Sequence, residues 1–373
     1  MQLKTFDSSL KILASILMLS LFPLSISSAS SLTLIKPTLP SGAALNDAFD
    51  MKDAAYRPSP REQYFQTWNA YWKTDDGFHI FANFVISNMG IGDNTCGLNI
   101  AIITPDGHSD VETLQLKGKH FKGQTDKLEL HCGKATWVGD GETISMKATL
   151  NRLAIDMVMK RTAPGFNPPL VYLDSERKDE LGYNMPHINS VATGRIRINN
   201  KWHQLTGRAI VEHLAQNVAL HVYSKIWHRI RVMDGETSLI IGGFEPSDDM
   251  PEGYTLLVLA KGGKILHATD KAVLKATAFE KDEESGYSIP TAFEVTSLDP
   301  KLKLKATITR ERPINRIDVL QQLNWFLRVI VRTFFTNPWL FRQEISIDAT
   351  YSLHGETQKI STKAMQEAIF VND

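Results

Sequence analysis

From Tyr64 to Thr309 the chain is written in stretches of 6 to 11 residues that alternate in polarity and end on turn residues. Successive side chains of a strand point to opposite faces, so this texture selects antiparallel sheet over helix. Phe78, Ile80, Ala82, Phe84 and Ile86 share one face of such a strand. Its other face, His79, Phe81, Asn83, Val85 and Ser87, is also partly apolar, which suits a barrel wall around a greasy interior or a sandwich core. The turns between stretches are explicit: Asp75-Asp76-Gly77, Pro105-Asp106-Gly107, Gly139-Asp140-Gly141, Asn199-Asn200, Asp234-Gly235 and Gly262-Gly263. Such pairs tolerate positive φ and close hairpins. Their even spread favours antiparallel meanders over units that need long helical crossovers.

The length, 373 residues, suits two domains. Arg161 to His187 carries Pro164, Gly165, Pro168, Pro169 and Pro186 and interrupts the strand texture, so the division is expected there. The expected organisation is 1–29 signal peptide, 30–63 linker with a short helix over Leu45–Ala55, 64–186 first domain and 187–373 second domain. Near the end, Ile317, Leu320, Leu323, Leu327, Ile330, Val331 and Phe334 fall at helical spacing between Pro313 and Pro338. This predicts one long helix, either packed between domains or acting as a lid or membrane-interface element. Asn324, Arg328 and Arg332 within the run disfavour a membrane span.

The N-terminus has the order of an export signal: Lys4 and Lys11, a short apolar run from Ile12 to Leu24, then small residues to Ser30. Cleavage after Ala29 would give a periplasmic or secreted protein; retention of the segment would give a membrane-anchored one. Cys96 and Cys132 would then sit in an oxidising compartment. They are read as a cross-strand disulfide, or as two buried thiols. Neither has a CxxC partner, so no metal site is expected. Lys plus Arg equals Asp plus Glu at 41 each, a poor electrostatic match for nucleic acid.

Familiar catalytic motifs are missing: no GxSxG elbow, no P-loop, no GxGxxG after a strand and no HExxH occurs. His213, His221 and His228 read as ordinary hydrogen-bonded histidines rather than metal ligands. Asp156, Asp174, Glu212 and Glu245 form no self-evident acid/base pair. The densest region runs from Val191 to Phe244. There Gly194, Gly207 and Ala209 would leave room inside a barrel, and Trp202, Tyr223 and Trp227 would wall an apolar pocket. His213 and Gln216 would supply its few hydrogen bonds. Trp68 and Asn83 are the candidates in the first half.

Three stretches taken in order resemble a known group. They are RTAPGF at Arg161 to Phe166, the set Glu212-His213-Leu-Ala-Gln216 with Ser224-Lys-Ile-Trp227, and the tail Asn337-Pro-Trp-Leu-Phe341. Over roughly Tyr64 to Tyr351 the chain is similar to the survival-factor (Svf) family of fungal lipocalin-like ceramide carriers. The wider clan holds the carotenoid 1,2-hydratases (hydroxyneurosporene synthases). The resemblance implies a mainly β chain of two tandem lipocalin-like antiparallel β-barrels with an apolar ligand and no cofactor. It implies a carrier of a long-chain lipid, ceramide- or sphingolipid-like or isoprenoid, with transient membrane contact. The alternative is a hydratase or cyclase in which Glu212 or His213 protonates a double bond while Trp202 and Trp227 stabilise the cation. A third reading is an envelope protein whose pocket is filled by its own side chains.

Overall fold

The computed structural model describes residues 32–371 apart from 48, 62, 89–94, 323–331 and 333–335. The expected export signal and most of the expected long helix lie outside these residues. The first strands are β1 (Phe65–Thr74), β2 (His79–Ser87), β3 (Thr95–Ile103), β4 (Ser109–Lys117), β5 (Phe121–Gly123), β6 (Glu129–Cys132) and β7 (Ala135–Gly139). There follow β8 (Thr143–Thr149), β9 (Ala154–Arg161), β10 (Val171–Tyr172), β11 (Glu180–Ile198) and β12 (Lys201–Gln216). One helical turn, Leu220–Tyr223, leads to β13 (Ser224–Asp234), β14 (Thr237–Pro246), β15 (Tyr254–Lys261), β16 (Lys264–Thr269) and β17 (Ala272–Lys281). The chain finishes with β18 (Ser288–Ser297), β19 (Leu302–Asp318), β20 (Trp339–Leu353) and β21 (Glu356–Phe370).

Two antiparallel sheets result. The first has the order β4-β3-β2-β1-β12-β11-β9-β8-β7-β6-β5, with β10 added on β11. It curls into a nearly closed barrel. The second has the order β16-β15-β14-β13-β21-β20-β19-β18-β17 and forms a half-barrel with both edges unpaired. The anticipated hairpins are present: Asn199 and Asn200 both take positive φ, 51° and 60°, as a two-residue turn matched to strand twist requires.

The interior of the first barrel is full. Trp68, Trp72 and Trp137 sit in one buried cluster with Phe84, Ile100 and Met146. Cys96 of β3 and Cys132 of β6 are joined by a disulfide with Cα atoms 6.0 Å apart, clasping the two flanks of the sheet. The outer face of β1–β3 and β11–β12, including Tyr71, Phe81, Tyr183 and Leu214, packs into one cluster with Trp227, Ile240, Phe244 and Val258 of the second sheet.

The expected division at residue 186 falls inside β11. Both β11 and β12 belong to the first barrel, and the second sheet begins at Ser224. Pro186 misdirects the reading because it marks a bulge rather than a link, whereas Pro164, Pro168 and Pro169 lie in the connection between β9 and β10. Pro186 lies at a register shift between Asn184 and His187, where no ladder hydrogen is required of it. Gly165 of the RTAPGF stretch is wedged so tightly that an added Cβ would stand 2.6 Å from both Phe49 and the Pro186 carbonyl, so this stretch serves close packing. Pro313 likewise sits at register shifts within β19, and the strand runs on to Asp318 where a helix start was expected. Only a short 3₁₀ turn, Val319–Gln322, follows in the described residues.

Residues 32–63 are not a loose tether. Leu34, Leu45, Phe49, Met51 and Ala54 are buried. In place of one helix there are two 3₁₀ turns, Gly42–Asn46 and Met51–Ala54, the second capped by Asp50, whose carboxylate accepts from the Lys52 N–H. This segment straps both sheets. Ile35 bridges to Tyr172, and the Asn46 side-chain amide pairs with the Ile265 backbone N–H and carbonyl at 2.8 and 3.0 Å.

Candidate functional site

Glu212 and His213 are neighbours in β12, so their side chains leave opposite faces of the sheet. His213 points into the first barrel. It stacks on Trp68, its cross-strand partner, at 4.6 Å between centroids. Asn184 donates to the Asp53 carbonyl and, at 3.2 Å, to His213 Nδ1. The remaining hydrogen then belongs on Nε2, which donates to Gln66 Oε1 at 3.2 Å. Burial, with the Arg57 charge adding to it, depresses the His213 pKa to about 3. The ring is neutral at ordinary pH, and both nitrogens are occupied.

Glu212 faces the second sheet. It accepts from Tyr183 Oη and from Arg231, whose Nε lies 2.8 Å away. Arg231 also donates to Glu367 at 2.9 Å. Glu367 further takes Arg342 Nε at 2.6 Å and pairs with Arg229 at 3.2 Å. Burial works against the Glu367 anion, but the guanidiniums of Arg229, Arg342 and Arg231 outweigh it and hold the carboxyl well below its usual range. Arg342 lies over the Phe81 ring at 4.5 Å. This buried network of three guanidiniums and two carboxylates locks the two sheets together. It also removes Glu212 from any joint acid/base role with His213.

An open space lies elsewhere. A cleft of about 550 Å³ enters the second sheet at its unpaired side. Phe244, Leu274, Val273, Ala272 and Leu298 wall it, and Lys36, Glu252, Asp270 and Lys271 stand among its lining residues. His228 and Glu245 also line it. Behind them runs a polar layer. Gln343 donates to Gln366 Oε1 at 2.6 Å, Gln366 Nε2 contacts His228 Nδ1 at 3.4 Å, and His228 Nε2 reaches Glu245 Oε1 at 2.8 Å. Below this layer the half-barrel is packed around Ile230, Phe293 and Ile347, and above it around Trp339, Phe341 and Phe370.

The residues singled out from the sequence therefore divide. Tyr223 and Trp227 are buried behind the cleft, edge-on and stacked against Phe244 at 4.9 and 5.6 Å. Gln216 accepts from Tyr223 Oη at 2.9 Å and donates to the Val218 carbonyl, fastening the connection between sheets. Trp68 and His213 are core groups of the first barrel. Asn83 is half-buried on the opposite face of that sheet and donates to Asn69. Trp202 is 43% exposed and lies under the Arg195 guanidinium at 4.6 Å, so it walls no pocket. Gly194 and Gly207 leave no room either: an added Cβ would stand 2.3 Å from the Asp156 or Lys73 carbonyl, so they permit close strand approach. The Arg231–Glu367–Arg342 network and the Gln343–Gln366 pair escaped the sequence reading. Their residues sit singly among strand residues, and only the strand pairing brings them together. Among the described residues no group of three or more His, Cys, Asp or Glu could hold a metal ion.

A filled barrel joined to an open half-barrel with an apolar-walled cleft defines a two-sheet, lipocalin-like protein. Residues 42–372 match the model of the Svf1 family, and the chain belongs to that family. The ceramide-binding protein svf1 of Emericella nidulans is 24% identical over 304 residues, covering 74% of this chain and 77% of that one. The ceramide-binding protein svf-1 of Neurospora crassa is 23% identical over 293 residues, with 73% and 75% covered. Two solved structures share the fold. A Nitrosomonas europaea protein designated AttH has a TM-score of 0.59 at 12% identity, covering 90% of this chain and 98% of its own. Kievitone hydratase from Nectria haematococca has a TM-score of 0.57 at 7% identity, covering 91% and 98%.

Proposed function

We propose that this chain binds and transfers a lipid of the ceramide class, with hydrocarbon held in the second-sheet cleft. The observation that carries this is the apolar-walled cleft of about 550 Å³ in a chain whose family includes proteins named for ceramide binding. Each buried CH₂ contributes ~0.8 kcal/mol, so a modest length of acyl chain gives useful affinity without a cofactor. Val273 and Leu298, 44% and 64% exposed, form an apolar lip through which a chain can slide from a membrane. An isoprenoid would satisfy the same walls, and the ligand recovered from the native host decides between them.

Native mass spectrometry of protein from that host should show a retained long-chain lipid. The double variant Val273→Asp, Leu298→Asp should lose lipid uptake about tenfold or more with a stability change within about 0.5 kcal/mol. Protein that carries no lipid and takes up none from vesicles would end this reading. The order of charged, apolar and small residues in 1–29 supports export. N-terminal sequencing that begins at Ser30 would support it, and a retained Lys4 would point to the anchored alternative.

A further inference from the structure

The cleft has a chemically distinct floor. Glu245 is a lining residue with a 42% exposed side chain, and its Oε1 is 2.8 Å from His228 Nε2. His228 is almost wholly buried, and its Nδ1 faces the amide Nε2 of Gln366. An amide N–H can only donate, so Nδ1 accepts and Nε2 carries the hydrogen that goes to Glu245. Gln343 completes the row, giving its Nε2 hydrogens to Gln366 Oε1 and to the Pro290 carbonyl at 2.9 Å. The three polar side chains lie between two apolar clusters, where burial is costly unless each is bonded. From Gln343 through Gln366 and His228 the donations run one way and end on Glu245, a carboxylate that opens to the cleft. Among the described residues nothing else is bonded to that carboxylate.

Resting on the lipid-binding reading above, we propose that Glu245 is the acceptor that selects an uncharged, donor-rich headgroup and turns away phosphate-bearing lipids. His228, Gln366 and Gln343 are its positioning residues. An ionised carboxylate only accepts, and its bonds from O–H and N–H are roughly twice as strong as neutral ones. A ceramide headgroup offers two hydroxyls and one amide N–H; a diacylglycerol offers one hydroxyl. The rest of the lining reinforces the choice. Its charged residues are Glu245, Glu252 and Asp270 against Lys36 and Lys271, and Lys36 is already paired with Glu252 at 3.0 Å. A phosphate entering the cleft meets two carboxylates and a single unpaired ammonium.

The test measures equilibrium binding of three lipids that share one fluorescent acyl chain: a ceramide, a diacylglycerol and a phosphatidic acid. The full chain should prefer ceramide to phosphatidic acid. Glu245→Gln should narrow that ratio about tenfold, through weaker ceramide and stronger phosphatidic acid binding. His228→Phe should narrow it less, and His228→Gln, which restores a donor toward Glu245, should recover part of the loss. Diacylglycerol should move least. Glu245 is solvent-facing, so Glu245→Gln leaves the fold intact, and circular dichroism verifies folding of the buried His228 variants. A ceramide-to-phosphatidic acid ratio unchanged in Glu245→Gln, with binding retained, overturns the selectivity proposal alone. A wild-type chain that binds none of the three overturns the lipid reading beneath it.

Discussion

The two sheets are built from the same alternating strands yet end differently. The first closes around three tryptophans and is clasped by Cys96–Cys132, leaving its interior solid. The second stops further short of closure, and a polar row of Gln343, Gln366 and His228 crosses it beside its cleft. Closure and filling go together: a nearly closed barrel can bury most of its inward face, whereas an open half-barrel keeps a wider seam at its side. On the proposed lipid-binding reading, one half of the chain is a foundation and the other a receptacle.

The contrast can be broken first where the halves meet. Arg231→Met strips a partner from Glu212 and Glu367 at once, and breaking a buried pair costs about 3–5 kcal/mol. Denaturant unfolding should show this as the largest single loss, with the two sheets no longer melting together. Adding Glu212→Leu should restore part of it, because an unpaired buried charge is then removed.

Next comes the clasp. The disulfide closes a separation of 36 residues, for which chain-entropy reasoning gives about 4 kcal/mol. Cys96→Ser with Cys132→Ser, or reductant, should lower the denaturant midpoint, and hydrogen exchange should place the lost protection in the first sheet. Equal loss in both sheets would show that the clasp supports the whole molecule.

A third effect is graded by acid. His79, His187 and His213 all lie on the first sheet, and burial depresses their pKa values to about 4, 3 and 3, with Lys73, Arg161 and Arg57 adding to it. Unfolded histidine titrates near 6.5, so the unfolded chain takes up protons first as pH falls. Their contribution is therefore complete above about pH 6.5 and is lost progressively toward about pH 3–4. Amide protection at pH 5 should fall in the first sheet before the second, and His213→Leu should flatten the slope.

Periodicity made the strands legible, and the paired turn residues made the hairpins legible, because both act over a few residues. The Phe78–Ile86 face and the Asn199-Asn200 turn are examples. Proline was ambiguous: Pro186 and Pro313 look like ends of elements, but each sits at a bulge whose existence depends on the partner strand. The candidate residues were legible as types rather than as a constellation. Tyr223 and Trp227 pack on Phe244, which lines the cleft, because large aromatics beside a turn between sheets have few other places to go. Trp202 has the same residue type and went to the surface, since only its strand face decides. Adjacent Glu212 and His213 read as a catalytic pair in one dimension, and strand alternation separates them in three.

The strap of residues 32–55 has a consequence for biogenesis. Asn46 grips Ile265, 219 residues downstream, and shields the outer edge of β16. During synthesis that grip cannot form until fifteen strands have emerged, so the strap can dock on the first sheet early but on the second only late. Closing this contact between the two ends of the fold is thus among the last events of folding.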